Sequence, residues 1–257
     1  MSRDSTQRFT DRVTDYVKYR PGYPRDVVTF LHATCRLPDG ARVADIGAGT
    51  GISARLLLDA GHRVVAVEPN QAMRAAADAW LGGFAGYSSV AGTAEATTLD
   101  AASVDLVMAA QAFHWFDPVA ARREFARILK PRGLVALFWN NRMLENTPFL
   151  VGYEALLQRF SDDYQSVAER YPDDDSMAAW FGDGRVRTAR FPNVQRLDFE
   201  GLRGRLMSSS YAPKAGHPNH EPMLAALREL FDRTAHDGTV EFLYETCVYA
   251  GHARDES

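Results

Sequence analysis

The run Val43-Ala44-Asp45-Ile46-Gly47-Ala48-Gly49-Thr50-Gly51 constrains this chain more than any other stretch. An apolar segment ends in alternating glycines, and a helical pattern continues from Ile52 to Ala60. The pattern predicts a buried strand, a turn almost free of side-chain bulk, and a helix. The helix's first N–H groups face the crevice at the strand's carboxyl end. Glycine adopts positive φ without steric cost and lets a ligand come close to the backbone.

Strand patterns at 41–46, 63–67, 87–90, 104–110 and 134–139 are separated by helical patterns at 51–60, 71–80 and 118–129, with Pro131-Arg132-Gly133 as a turn. Single helices between strands imply right-handed crossovers and a mostly parallel sheet. A further helix is predicted within 25–37, stopped near Pro38. Residues 1–24 read as a polar arm carrying Phe9, Tyr16, Tyr19 and Tyr23, and broken by Pro21, Gly22 and Pro24. It is either an arm packed on the core or a lid offering hydroxyls and the Arg20 guanidinium. After Asn140 the rhythm changes. Helix is predicted over 147–182, strand over 185–197, a short helix over 199–207, a helix bearing Met223, Leu227, Leu230 and Phe231, and a last strand over 240–250. The expected organisation is an arm at 1–24, a core at 25–140, a cap insertion with part of the sheet at 141–236, and a returning strand at 237–257.

The balance of 29 basic against 33 acidic residues, net charge −4, provides no basic footprint for nucleic acid. Arg122, Arg123 and Arg127 beside Glu124 read as a solvated helix face. Two cysteines, Cys35 and Cys247, fit a reducing cytoplasm. Met1 to Arg20 lacks the apolar run of a secretory leader, and no stretch has the apolar length of a membrane span. No metal site is expected, and the state is expected to be monomer or homodimer.

The glycine spacing selects the ligand. A dinucleotide fingerprint requires a third glycine where Ile52 stands, and Asp45, two residues before the first glycine, would repel a pyrophosphate. An acid suits a ligand with cationic or donor groups, and S-adenosylmethionine has an α-ammonium, a ribose diol and a sulfonium. Glu68, seventeen positions beyond Gly51 and just before Pro69, can accept from a ribose diol. Met73 is placed to touch an adenine face, although methionine at this spacing is more often core. Ala94-Glu95 lies where an adenine edge would sit. The fourth strand ends in Gln111-Ala112-Phe113-His114-Trp115-Phe116-Asp117, whose aromatic faces would attract a sulfonium. His114 is either a silent structural histidine or a group at the reacting centre.

Together, D-x-G-x-G-x-G, Glu68, Gly92-x-Ala94-Glu95, Ala112-Phe113-His114-Trp115-Phe116 and Leu129-Lys130-Pro131-x-Gly133 resemble the type 11 branch of class I S-adenosylmethionine-dependent methyltransferases. Tyr19-Arg20-Pro21-x-Tyr23-Pro24 and Ser209-Ser210-Tyr211-x-Pro213 are most similar to its trans-aconitate methyltransferase-like members. The resemblance implies a Rossmann-like, doubly wound, seven-stranded, mostly parallel sheet whose last strand is antiparallel, with a helical cap. It implies S-adenosylmethionine bound by Asp45, Gly47, Ala48, Gly49, Gly51, Glu68, Pro69, Met73, Ala94, Glu95 and Gln111. Thr93 departs from the aspartate common in relatives. Tyr16, Tyr19, Arg20, His114 and Arg142 are the residues expected around a small-molecule methyl acceptor, with carboxylate O-methylation the reaction expected. Two alternatives stand at this point: a non-catalytic S-adenosylmethionine-binding protein, and a nicotinamide oxidoreductase, disfavoured by Ile52 and Asp45.

Overall fold

The computed structural model describes residues 19–161, 164, 173–182, 186–209 and 211–252, so Tyr16 lies outside the described residues. The chain runs α1 (Asp26–Ala33), β1 (Arg42–Ile46), α2 (Ile52–Asp59), β2 (Arg63–Val67), α3 (Gln71–Leu81), β3 (Tyr87–Val90) and β4 (Val104–Ala110). A 3₁₀ turn (Phe113–Trp115), α4 (Pro118–Ile128), β5 (Leu129–Arg142), α5 (Pro148–Phe160) and α6 (Asp174–Phe181) follow. The last elements are β6 (Arg187–Leu197), α7 (Phe199–Met207), α8 (His220–Thr234) and β7 (Val240–Gly251).

Side chains place the helix starts. Asn70, Asp117, Thr147, Asp173 and Asp198 each accept a backbone N–H of the first turn of the helix that follows them. Pro118 and Pro148 supply the fixed φ of a first helical residue.

The seven strands form one sheet in the order β3-β2-β1-β4-β5-β7-β6. Strands β1 to β5 are parallel, and β7 runs antiparallel to both of its neighbours. The central strands alternate between two cores, as a sheet covered on both faces requires. Ala44, Ile46, Val107, Ala109, Val135 and Leu137 face one core with Phe125. Val43, Leu106, Met108, Ala136 and Phe138 face the other with Leu31 and Leu57. A third cluster, built by α5, α7, α8 and the near half of β7, is the cap. The order reverses at β1 and β4, so a crevice opens above their carboxyl ends.

Two expectations need correction. Strand β5 starts at Leu129 rather than Leu134, and the Pro131-Arg132-Gly133 turn interrupts it as an irregularity instead of preceding it. Leu129 pairs with Val104 before the register shifts at Leu106, and Arg132 takes φ 67° there. The helix bearing Glu124 is no simple solvated face. Glu124 is buried and accepts from the Thr97 N–H (2.9 Å) and hydroxyl (2.5 Å), and from Arg127 (2.7 Å). These donors, against the opposing effect of burial, hold its carboxyl down at about 2.

A carboxyl depressed in the folded state stabilises above its unfolded pKa and loses that contribution as pH falls through the folded one. Relative to Glu124→Gln, the wild-type protein should therefore lose stability as pH falls from about 4.5 to about 2. At pH 7 the substitution should cost about 1–3 kcal/mol. Urea midpoints across pH measure both, and parallel pH profiles for the two proteins would contradict the assignment.

Candidate functional site

The loop between β1 and α2 is shaped by backbone needs. Gly47, Gly49 and Gly51 take φ of 66°, 56° and 88°. A Cβ on Gly47 would stand 2.8 Å from the Ala112 Cβ, and one on Gly51 would stand 2.5 Å from Leu81 Cδ1. Gly51 is thus needed for packing of α2 on α3, whereas a Cβ on Gly49 would meet open space.

The loop is tied to the next strand. The Gly47 N–H donates to the Val67 carbonyl at 2.9 Å, and the Gly49 N–H donates to Glu68 Oε2 at 2.8 Å. Glu68 Oε1 accepts the Asn70 N–H at 2.9 Å. Each carboxylate oxygen keeps a lone pair for a further donor. Burial, the largest influence, raises the Glu68 pKa, opposed by those two N–H groups and Arg74.

Two adjoining chambers open on this turn. The larger, about 900 Å³ and open to solvent, is lined by Gly47, Gly49, Glu68, Pro69, Asn70, Met73, Thr93, Ala94, Glu95, Ala110, Gln111, Ala112, Trp115 and Phe116. The smaller, about 430 Å³, adds Arg20, Pro21, Tyr23, Ala48, Thr50, Ile52, Ser53 and Asn140. Gly47, Gly49, Ala110 and Gln111 are common to both. Gln111 sits at φ 55°, and its Oε1 is buried with no partner. An acceptor left bare at the junction of two chambers suits an ammonium or hydroxyl donor.

Asp45 stands beneath the turn and lines neither chamber. It is fully buried, Ser53 donates to its Oδ2 at 2.7 Å, and Oδ1 has no partner. Burial pushes its carboxyl up to about 7, with Glu68 adding to the rise and Ser53 opposing it. Glu95 lines the larger chamber, but one oxygen already accepts the Asp117 N–H at 2.9 Å.

His114 lines neither chamber; its ring lies 4.8 Å from that of Trp115, which does. Tyr19 also stays off the chamber walls. Its ring lies over Gly204, where a Cβ would come within 2.1 Å, and its carbonyl accepts from Gln195 at 2.8 Å. Arg142 lies two residues beyond the chamber wall at Asn140 and pairs with Glu154. Sequence reasoning missed Asn140, whose side chain donates to the Gly22 carbonyl at 3.0 Å and so seats the segment carrying Arg20. Its place at the end of a predicted strand was the available signal. Among the described residues no group of three ligand-type side chains could hold a metal ion, and no helix is long and apolar enough to cross a membrane.

Comparison with known proteins agrees with this geometry. Residues 44–137 match the family model described as a methyltransferase domain. An uncharacterised methyltransferase-like protein of Schizosaccharomyces pombe is 29% identical over 251 residues, spanning 94% of both chains. An uncharacterised methyltransferase of Mycobacterium bovis is 41% identical over 141 residues, covering 54% of this chain and 55% of its own. In fold, the chain is similar to the structure of a candidate type II methyltransferase from Anaeromyxobacter dehalogenans. That likeness has a TM-score of 0.67 at 22% identity, over 91% of this chain and 98% of the other. The domain match and the methyltransferase relatives support S-adenosylmethionine as cofactor and methyl transfer as the activity, not nicotinamide chemistry.

The Asp45 environment makes a prediction about the ligand-free protein. A carboxyl raised in the folded state contributes stability below its unfolded pKa and loses it as pH rises through the folded value. Asp45→Asn should therefore gain on wild type as pH climbs from about 4 to about 7, by about 2–4 kcal/mol. Chemical denaturation across that range decides it; no pH-dependent difference would contradict the buried-acid account.

Proposed function

We propose that this chain is a class I methyltransferase that transfers a methyl group from S-adenosylmethionine to a carboxylate oxygen of a small organic acid. The observation that carries the reading is the pair of chambers meeting at Gln111, one acidic and aromatic, the other bordered by Arg20.

The larger chamber suits the nucleoside and sulfonium. Glu68 accepts from the ribose diol with the lone pairs left after its backbone bonds, and Pro69, Met73, Ala94 and Glu95 surround the adenine. Trp115 and Phe116 line the same chamber, where an aromatic face over the cationic sulfur would give an attraction worth about 0.5–2 kcal/mol. The bare Gln111 oxygen accepts from the α-ammonium. Gly47, Ala48, Gly49 and Gly51 keep the turn low enough for close approach, and Asp45 supplies negative potential from below. Arg20, bordering the smaller chamber, supplies the positive charge that faces the acceptor's carboxylate.

S-adenosylmethionine supplies an electrophilic methyl on a good leaving group, so the protein's task is alignment and exclusion of water. Such positioning can provide on the order of 7–11 kcal/mol. A carboxylate acceptor is already deprotonated at neutral pH and needs no general base. That fits His114 held against Trp115 off the chamber wall, acting by orienting that ring. Tyr19 supports the segment that closes the acceptor side, and Tyr16 belongs to the same sequence stretch.

Incubation with S-adenosylmethionine and a panel of carboxylic acids, followed by assay of S-adenosylhomocysteine, tests the assignment. Acids should turn over; turnover with amines or phenols alone rejects it. Gly49→Val, whose side chain would point into open chamber, should weaken S-adenosylhomocysteine binding at least tenfold, about 1.4 kcal/mol, and, because φ there is 56°, should also cost about 1–3 kcal/mol of stability.

A further inference from the structure

Among its described residues, the cap encloses more positive charge than it answers. Arg205, on α7, is 6% exposed, yet its bonds go to neutral groups: the Tyr244 hydroxyl at 3.3 Å and the Ser209 hydroxyl at 3.0 Å. Among the described residues no carboxylate lies within ion-pair distance of it. Arg142, at the end of β5, gives one nitrogen to Glu154 and to the Tyr164 hydroxyl at 2.8 Å, while its Nη1 is buried with no partner. Among the described residues, the one carboxylate ion-paired with this pair of guanidiniums is Glu154, on Arg142.

A buried unanswered cation costs several kcal/mol, and folds retain such groups where a ligand completes them. Arg205 also cannot discharge itself by losing its proton. A second observation points the same way. Tyr153, on α5 and 1% exposed, has a hydroxyl with no hydrogen-bond partner. Arg142 lies over its ring at 5.2 Å, and Arg205, Tyr211 and Tyr244 all act on it electrostatically. Tyr211 reports the local potential. Burial pushes its phenol up, yet the guanidiniums of Arg205, Arg20 and Arg142 bring it below its ordinary value.

The cluster adjoins the proposed acceptor side. Arg142 follows the chamber-lining Asn140 by two residues on the same strand. Arg20, in the smaller chamber, donates to the Ser208 carbonyl at 3.0 Å, next to the Ser209 that Arg205 holds.

We propose that Arg205, Arg142 and the Tyr153 hydroxyl form an anion-recognition site in the cap that seats a carboxylate group of the acceptor. The inference rests on the organic-acid reading above. Arg205 and the free Arg142 nitrogen supply the charge, and Tyr153 donates the hydrogen bond that has no taker in the ligand-free protein. Arg142 is kept rigid by Glu154 and Tyr164. Inorganic phosphate, a tetrahedral oxyanion, serves as a competing probe of the same chemistry.

The test measures binding rather than turnover. Purified full-length protein, saturated with S-adenosylhomocysteine, is titrated calorimetrically with aliphatic mono- and dicarboxylates and with phosphate. At least one carboxylate should bind, more tightly than phosphate, and Tyr153→Phe and Arg205→Gln should each weaken it tenfold or more. Both variants should keep wild-type affinity for S-adenosylhomocysteine. Tyr153→Phe, which removes only an unpartnered hydroxyl, should also melt no lower than wild type, so it remains informative if Arg205→Gln fails to fold. Unchanged carboxylate affinity in Tyr153→Phe, tighter binding of phosphate than of any acid, or no saturable anion binding at all would overturn the site. Failure to bind S-adenosylhomocysteine would instead strike the functional reading itself.

Discussion

One carboxylate holds the site together. Glu68 closes β2 and takes the N–H of Gly49 on one oxygen and that of Asn70 on the other, at 2.8 and 2.9 Å. It thereby fixes the glycine turn after β1 to the start of α3, while Gly47 bonds to the Val67 carbonyl beside it. A turn with three positive-φ glycines has a large unfolded-state entropy to lose, and these few bonds select a single shape from it. Because each oxygen retains a lone pair, the group that orders the loop remains able to accept from a ligand.

The ordering has an electrostatic consequence. Asp45 lies below the same turn, fully buried, with one oxygen bare and its carboxyl lifted to about 7. A core chosen for stability alone would place an apolar or amide side chain there. The acid persists at a cost to the ligand-free fold, the pattern expected where a cationic ligand restores the balance. Arg205 and the bare nitrogen of Arg142 show the mirror image in the cap, with surplus positive charge among tyrosines. Acid under the turn and base in the cap thus leave opposite charges unanswered at two places in the described fold.

The antiparallel end of the sheet joins these two places. Strand β7 lies between β5 and β6, and the Arg142–Tyr244 register brings the tip of β5 to the Arg205 cluster. Asn140 on β5 and Asn193 on β6 both donate to the Gly22 carbonyl, at 3.0 and 2.8 Å, and Gln195 donates to that of Tyr19 at 2.8 Å. The segment bearing Arg20 is therefore laced to the same strands that position the cap.

Periodicity and glycine spacing by themselves determined the alternating strands and helices, the parallel core, and the turn with Glu68 opposite it. These are local signals: an apolar run, a cap residue and a glycine leave their mark within a few positions. That β5 starts at Leu129, ahead of the Pro131-Arg132-Gly133 turn, was not legible, because the Leu129 pairing depends on Val104, a residue distant in sequence. Nor was the burial of Glu124, which depends on Thr97, a residue 27 positions away. His114, prominent in its aromatic setting, lies off the chamber wall, while Arg205 and Tyr153 belong to unremarkable helical stretches. Their meeting is decided by packing of α5, α7 and β7, elements far apart in the chain. Spacing can announce which residues share a face, but only the tertiary structure reveals which charges are left without an answer.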